Sequence, residues 1–207
     1  MKHALDRVLA VIALIVFSPV LGAISLWILL ETGRPVLFAH PRVGKNGRVF
    51  RMVKFRTMVQ NAIALNQELK LSEDPYGHLP DDPRITRSGR LLRRTSLDEL
   101  PQLFNVVRGE MSLVGPRADI VEQVENYTES DRRRLAVKPG ITGWAQVNGR
   151  DAIPWPQRFE LDAWYIEHWW LGLDAKIVLR TVLELFRDRP EPVVDEMNIE
   201  RAKARQR

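Results

Sequence analysis

The sequence predicts an α-dominant α+β fold that associates with a membrane, and three observations carry that prediction. Val8 to Leu30, VLAVIALIVFSPVLGAISLWILL, is 23 residues without a charge. Phe38 to Met58 sets turn chemistry, GKNG, between alternating apolar and basic residues, the pattern of a small β-hairpin. Leu161 to Arg187 combines Trp, Tyr, Lys and Arg with Leu and Val at helical spacing, which suits one or two amphipathic helices lying in a membrane interface, and equally suits core-packing helices.

The apolar run would rise roughly 34 Å as a straight helix at ~1.5 Å per residue, enough to cross a bilayer. A cleaved secretory signal accounts for the basic start and the LGA tripeptide, but apolar residues continue well past that point. Ser18-Pro19 sits mid-run. There the proline removes a backbone hydrogen bond and crowds the Ile15 carbonyl, so a kink is expected, with the serine hydroxyl available to a freed backbone group. Both flanks are basic: Lys2 and Arg7 precede the run, and Glu31 to Arg56 carries seven Lys/Arg against one acid. The positive-inside rule therefore draws both ends to one side. From these residues a re-entrant helix, bent at Ser18-Pro19, and a spanning helix stand level.

Beyond the hairpin, Val59 to Leu71 reads as a helix and SEDPYGHLPDDPR, Ser72 to Arg84, as a loop. From Asp188 the chain is a charged, proline-bearing tail expected to be mobile. The length, 207 residues, suits one globular body. With no cysteine, thiol nucleophiles and zinc-thiolate sites are excluded, and the four histidines lack metal-ligand spacing. Neither a Walker-type nor a dinucleotide-type glycine loop occurs. The formal net charge of +5 points to an anionic partner: nucleic acid, an acidic membrane surface or a phosphorylated substrate.

The candidate chemistry centres on SLDELPQL, Ser96 to Leu103. Ser96-x-x-Glu99 matches a capping box, but Pro101 would then be the fifth helical residue, where its missing N–H costs a bond. A cap at Leu97 or Asp98 puts the proline safely in the first turn. Either way Asp98 and Glu99 are expected at a helix N-terminus, which keeps a carboxylate ionised and attracts phosphate. Neighbours on a helix diverge by about 100°, so the pair needs separate roles rather than one chelating face. A purely structural cap is the more common meaning of such spacing. The arginines weigh against it: Arg84, Arg87, Arg90 and Arg93 recur every three residues with Arg94 adjacent, as one basic helical face, and GEMSLVGPR ends in a tight Gly115-Pro116 turn presenting Arg117. KPGITGWAQVNGR, Lys138 to Arg150, gathers glycines, Trp144, Gln146 and Asn148 into a loop suited to nucleotide recognition.

Together these blocks resemble the bacterial sugar transferase family, the monotopic phosphoglycosyl transferases: SP within the apolar run, KFRTM, DPRITRSGRLLRRTSLDELPQLFNVVRGEMSLVGPR, and KPGITGWAQVNGR, over about Asp6 to Thr181. The resemblance implies a re-entrant membrane helix (1–33) broken at Ser18-Pro19, a catalytic domain (34–187) on the cytoplasmic face of the bacterial inner membrane, and the tail (188–207). It implies transfer of a sugar 1-phosphate from a UDP-sugar to undecaprenyl phosphate with release of UMP, the first membrane step of surface glycan assembly. By the same resemblance Asp98 is the nucleophile that forms a phosphosugar-aspartyl intermediate, Glu99 its partner, and Mg²⁺ sits beside Asp98. Lys54, Arg56, Arg93 and Arg117 are matched as phosphate or substrate contacts, and Gln146, Asn148 and Arg150 as nucleotide contacts. Undecaprenyl phosphate, the UDP-sugar and membrane lipids are the implied partners, with a homodimer left open. One departure stands out: the family's GPRP reads GPRA here, with Ala118 after Arg117. The rival reading, a tethered non-enzymatic binder of anionic polymer, uses the arginine face and makes Asp98 dispensable; no nucleic-acid-binding motif accompanies it.

Overall fold

A computed structural model describes residues 2–69, 82–149 and 152–184. The predicted mobile tail, most of the Ser72–Arg84 loop, and Arg150 lie outside the described residues. The apolar run forms two helices, α1 (Lys2–Val16) and α2 (Ser18–Thr32), bent by 62° at the break. Pro19 occupies the first turn of α2, where a missing N–H costs nothing, and the Ser18 hydroxyl donates to the Ile15 carbonyl at 2.7 Å. Among the described residues no single helix is long and apolar enough to cross a membrane.

Both ends of this bent pair dock on the same body. At the α1 end Asp6 is buried and accepts from the Ser112 hydroxyl at 2.6 Å, while the Lys2 ammonium donates to Asp174. At the α2 end Glu31 accepts from the backbone of Arg87 and Ser88 at 2.8 and 3.0 Å. Between these anchors the outward face is apolar, with Val8, Ile12, Ile15, Val16, Leu26 and Leu30 all exposed. Inward, Ala10 packs on Leu103 and Val106, and Ile24 and Ile28 pack on Phe55 and Leu92. Burying each such isoleucine contributes roughly 1.5–3 kcal/mol.

The predicted hairpin is present as β1 (Leu37–Val43) and β2 (Val49–Phe55), antiparallel, with His40 opposite Met52. Asn46 and Gly47 take positive φ in its turn, as the GKNG signature requires. Helix α3 spans Ala62–Leu69, shorter at its start than expected from the sequence. Helix α4 (Arg87–Thr95) begins at Thr86, whose hydroxyl accepts from the Gly89 N–H at 2.9 Å. Gly89 lets α4 lie against the end of β2: a Cβ there would stand 2.1 Å from the Thr57 carbonyl.

Two expectations fail here. None of Ser96, Leu97 and Asp98 caps an α-helix: Ser96 ends α4 in the left-handed conformation (φ 57°) and leads into a 3₁₀ turn without a side-chain capping bond, and Leu97 and Asp98 lie within that turn. A 3₁₀ turn (Leu97–Glu99) follows, and α5 (Gln102–Arg108) starts only after Pro101. The carboxylates therefore sit in a tight connector between two helices, with the proline entering α5 harmlessly. The arginine face is also broken. Arg84 precedes α4 and is fully buried, with Nε 2.9 Å from Asp82 and Nη1 2.9 Å from Asn66.

The remainder supplies a two-stranded parallel sheet that the sequence did not announce, β3 (Ser112–Val114) beside β4 (Gly140–Thr142). Helices α6 (Val121–Val124), α7 (Trp144–Val147), α8 (Trp155–Glu167) and α9 (Leu171–Glu184) complete the described chain. Helix α8 begins six residues before the predicted Leu161 start, with Pro156 in its first turn. Val114, Val147, Tyr165, Leu173 and Ile177 form the core that joins sheet and helices. Trp170, Leu179 and Leu183 are exposed on and beside α9.

Candidate active site

The 3₁₀ turn carries Asp98 and Glu99 to the wall of a pocket of about 970 Å³. Successive residues of a 3₁₀ turn point about 120° apart, so the two carboxylates have different surroundings. Glu99 is clamped: its Oε1 accepts from Lys54 Nζ at 2.9 Å and from Arg117 Nη2 at 3.0 Å. Burial opposes its ionisation, but the charges and hydrogen bonds of Arg117 and Lys54 outweigh that and hold the Glu99 carboxyl well below the usual carboxylate range. Asp98 is 8% exposed, and among the described residues no hydrogen bond or ion pair closes on it. Burial pushes its carboxyl up; the adjacent Glu99 adds to this, while Lys54, Arg93 and Arg117 pull the other way without cancelling it. Lys54 itself is drawn below its ordinary value by burial, with Glu99 working against that drop.

The four cations predicted to contact phosphate or substrate can now be placed. Lys54 and Arg56 come from the end of β2 and its continuation, Arg93 from the last turn of α4, and Arg117 from the turn after β3; all four line the pocket. Arg93 Nε donates to Thr57 Oγ1 at 2.9 Å. Arg56 is tied to the bent helix pair: its Nη2 donates to the Thr32 carbonyl, Thr32 hydroxyl and Gly33 carbonyl at 3.0, 2.6 and 2.8 Å, closing the C-terminus of α2. Its Nε and Nη1 are buried without a partner. Ala118, where the family proline was expected, is buried, and Arg117 still reaches Glu99.

Gln146, on α7, lines the same pocket, with both amide atoms buried and unpartnered. Asn148 does not join them: it caps α7, donating to the Trp144 carbonyl at 2.7 Å and accepting from Arg180 at 3.1 Å. The pocket also runs along Leu9, Ala13 and Phe17 of the bent pair, so its wall is ionic at one end and apolar at the other. Among the described residues no cluster of three or more His, Asp or Glu forms a metal site by itself.

Residues 1–188 match the family of bacterial sugar transferases. The chain belongs to that family. This sugar transferase is 44% identical over 183 residues to EpsL of Bacillus subtilis, an uncharacterized sugar transferase, covering 88% of this chain and 85% of the relative. It is 41% identical over 196 residues to the undecaprenyl-phosphate galactose phosphotransferase of Salmonella typhimurium, covering 90% of this chain and 40% of that protein. A third relative, the undecaprenyl-phosphate glucose phosphotransferase of Komagataeibacter xylinus, is 42% identical over 198 residues, covering 87% of this chain and 35% of its own length. The chain thus spans well under half of the latter two.

Sequence reasoning missed one group in this sugar transferase. Arg134 is buried between Asp119 and Asp162, at 2.5 Å from the first and 2.8 Å (Nε) from the second. Its only sequence signal was a run of three arginines, which reads as surface. Burial pushes the Asp162 carboxyl up to about 6; Arg134 and Arg158 oppose the rise and Asp119 adds to it. Because the folded value lies above the unfolded one, ionised Asp162 costs stability at neutral pH, and the cost is relieved as pH falls through about 6 towards 3.8. Between pH 7 and 5 the wild type should gain about 1 kcal/mol relative to Asp162→Asn, some 2–4 °C in the difference of melting temperatures. Equal pH slopes for the two proteins would contradict this.

Proposed function

We propose that this sugar transferase moves a sugar 1-phosphate from a UDP-sugar to undecaprenyl phosphate, releasing UMP, through a covalent intermediate on Asp98. The observation that carries the reading is the division of labour in the acidic pair: Glu99 held ionised by Lys54 and Arg117, Asp98 buried, unpartnered and facing the pocket. An Asp98 oxygen attacks the sugar-bearing phosphorus, and the bond to the bridging oxygen breaks with its electrons leaving on UMP. An oxygen of undecaprenyl phosphate then attacks the same phosphorus and displaces Asp98, giving the lipid-linked diphosphosugar and restoring the carboxylate.

The basic residues around the pair match that charge flow. Arg93 and Arg117 offer planar forks to phosphate oxygens, and Lys54 sits between Glu99 and the pocket. Arg56 and Gln146 keep buried, unused hydrogen-bonding atoms in the pocket wall. A single free carboxylate is the donor set expected of a Mg²⁺ site completed by substrate oxygens, and Asp98 fits it. Held there with the diphosphate, the ion would neutralise charge so that an anion can approach an anion.

The bent helix pair supports a monotopic placement on the bacterial inner membrane with the body on the cytoplasmic face. Its two ends are fixed to one body, its outward face is apolar, and the pocket opens along its inner side. A lipid-borne acceptor and a soluble donor can then meet at Asp98.

The test is UMP release by the detergent-solubilised protein given a panel of UDP-sugars, undecaprenyl phosphate and Mg²⁺. The reading expects acceptor-dependent UMP with one donor, and a phosphosugar adduct on Asp98 when the acceptor is withheld. Turnover with no adduct, or full activity after divalent-metal chelation, would remove the intermediate or the metal respectively.

A further inference from the structure

The buried group around Arg134 touches neither Asp98 nor Glu99, yet it is built at considerable cost. Arg134 is 5% exposed, Asp119 4% and Asp162 1%. Buried ion pairs of this kind seldom stabilise a fold beyond what well-packed apolar residues would, so their positional consequences are the better place to look.

Those consequences converge on the turn that presents Arg117. Arg134 Nη1 donates to Asp119 and to the Tyr127 hydroxyl, each at 2.5 Å, and that hydroxyl donates on to Asp119. Nε and Nη2 meet Asp162 on α8 at 2.8 and 2.7 Å. Nη2 also donates to the main-chain carbonyl of Arg117 at 3.2 Å. The same turn is held from its other side. Val43 N–H reaches the Asp119 carbonyl at 2.9 Å, Arg42 Nη1 the Ala118 carbonyl at 3.3 Å, and Gly140 N–H the Pro116 carbonyl at 2.9 Å. Arg117 Nη2 lies 3.0 Å from Glu99, although its side chain is 43% exposed. A long, half-exposed arginine loses rotamer freedom to make one such bond, and it lands reliably only if its own backbone is fixed.

We propose that Arg134 is a positioning residue of the transfer reaction: bound by Asp119, Tyr127 and Asp162, it fixes the Arg117 main chain so that the guanidinium meets Glu99. This rests on the reading that Glu99 and Arg117 serve the transfer. The chain holds this turn by hydrogen bonds to the Arg117, Ala118 and Asp119 carbonyls.

The test is a double-mutant cycle on the kcat of UMP release, per mole of folded enzyme. Arg134→Gln is expected to lower kcat about tenfold and Tyr127→Phe severalfold, and neither should lower it further once Arg117→Ala is present. A merely structural role would cost the same in both backgrounds, so losses that multiply overturn the proposal. Should Arg134→Gln fail to fold, Tyr127→Phe decides alone, since it removes one hydroxyl from the cluster. A wild type that releases no UMP, or an Arg117→Ala variant with undiminished kcat, refutes the site reading itself and the positioning role with it. Loss of kcat in the single variants alone, with an intact Arg117→Ala response, supports positioning.

Discussion

Asp98→Asn is expected to abolish turnover, by at least about a thousandfold, and at the same time to raise the melting temperature. The first effect follows from chemistry: an amide oxygen does not displace UMP and cannot regenerate a carboxylate. The second follows from packing. Asp98 is 8% exposed and lacks a hydrogen bond or ion pair among the described residues, and burial lifts its carboxyl despite Lys54, Arg93 and Arg117 nearby. The ionised form is therefore the strained one in the folded protein. A neutral isostere removes that cost without leaving a void, so the melting temperature rises. Glu99→Gln should behave oppositely. It leaves Lys54 and Arg117 facing an amide, and breaking a partly buried pair in this way costs stability. Thermal melts without divalent metal or donor, beside a UMP-release assay, check both. An Asp98→Asn protein that melts lower than wild type would mean that the surrounding cations stabilise the carboxylate more than burial penalises it.

Particular residues show where the fold was legible from sequence. Proline and glycine chemistry is local, so Ser18-Pro19 announced the bend and GKNG the hairpin, whereas the helix start expected at Ser96, Leu97 or Asp98 falls at Gln102 instead. Patterns that depend on a partner far along the chain were not legible. Arg84 matches the arginine spacing but lies before the Thr86 cap, and it is buried because Asp82 and Asn66 surround it. Ser96-x-x-Glu99 matches a capping box, yet Ser96 ends one helix and the Glu99 side chain is taken by Lys54 and Arg117, 45 and 18 positions away. Strands of three residues, such as β3 and β4, carry too little alternation to be seen. Arg134 sits in a run of like charges whose meaning depends on Asp119 and Asp162, 15 and 28 positions away. Local chemistry thus located the acidic pair, and long-range pairing assigned its two members different surroundings.

Pro19→Leu is expected to change how the protein sits in a bilayer. In the wild type the helices part at 62°, the Ile15 carbonyl is satisfied by Ser18, and both ends are anchored to one body. Leucine at position 19 restores an N–H and removes the ring clash, a relief of about 3 kcal/mol for a continuous helix. A straight helix over residues 2–32 would rise roughly 46 Å and could span the hydrocarbon core. Opposing this are the Lys2–Asp174 and Asp6–Ser112 contacts, which must break for the N-terminus to leave the body, and the unfavourable transfer of Lys2 and Arg7 across the membrane. The balance is close enough that Pro19→Leu alone should send a measurable fraction of N-termini to the far side, and Pro19→Leu with Asp6→Ala a larger one. The chain has no cysteine, so one cysteine appended at the N-terminus and another placed at exposed Glu129 report their sides without background when labelled by a membrane-impermeant reagent. Wild-type protein should label at both positions from one side. Labelling from opposite sides in the wild type would show that the bend does not return the chain, whatever the effect of the substitution. A wild type labelled on one side and a double variant that stays there would place the control of topology in the basic flanks rather than in Pro19.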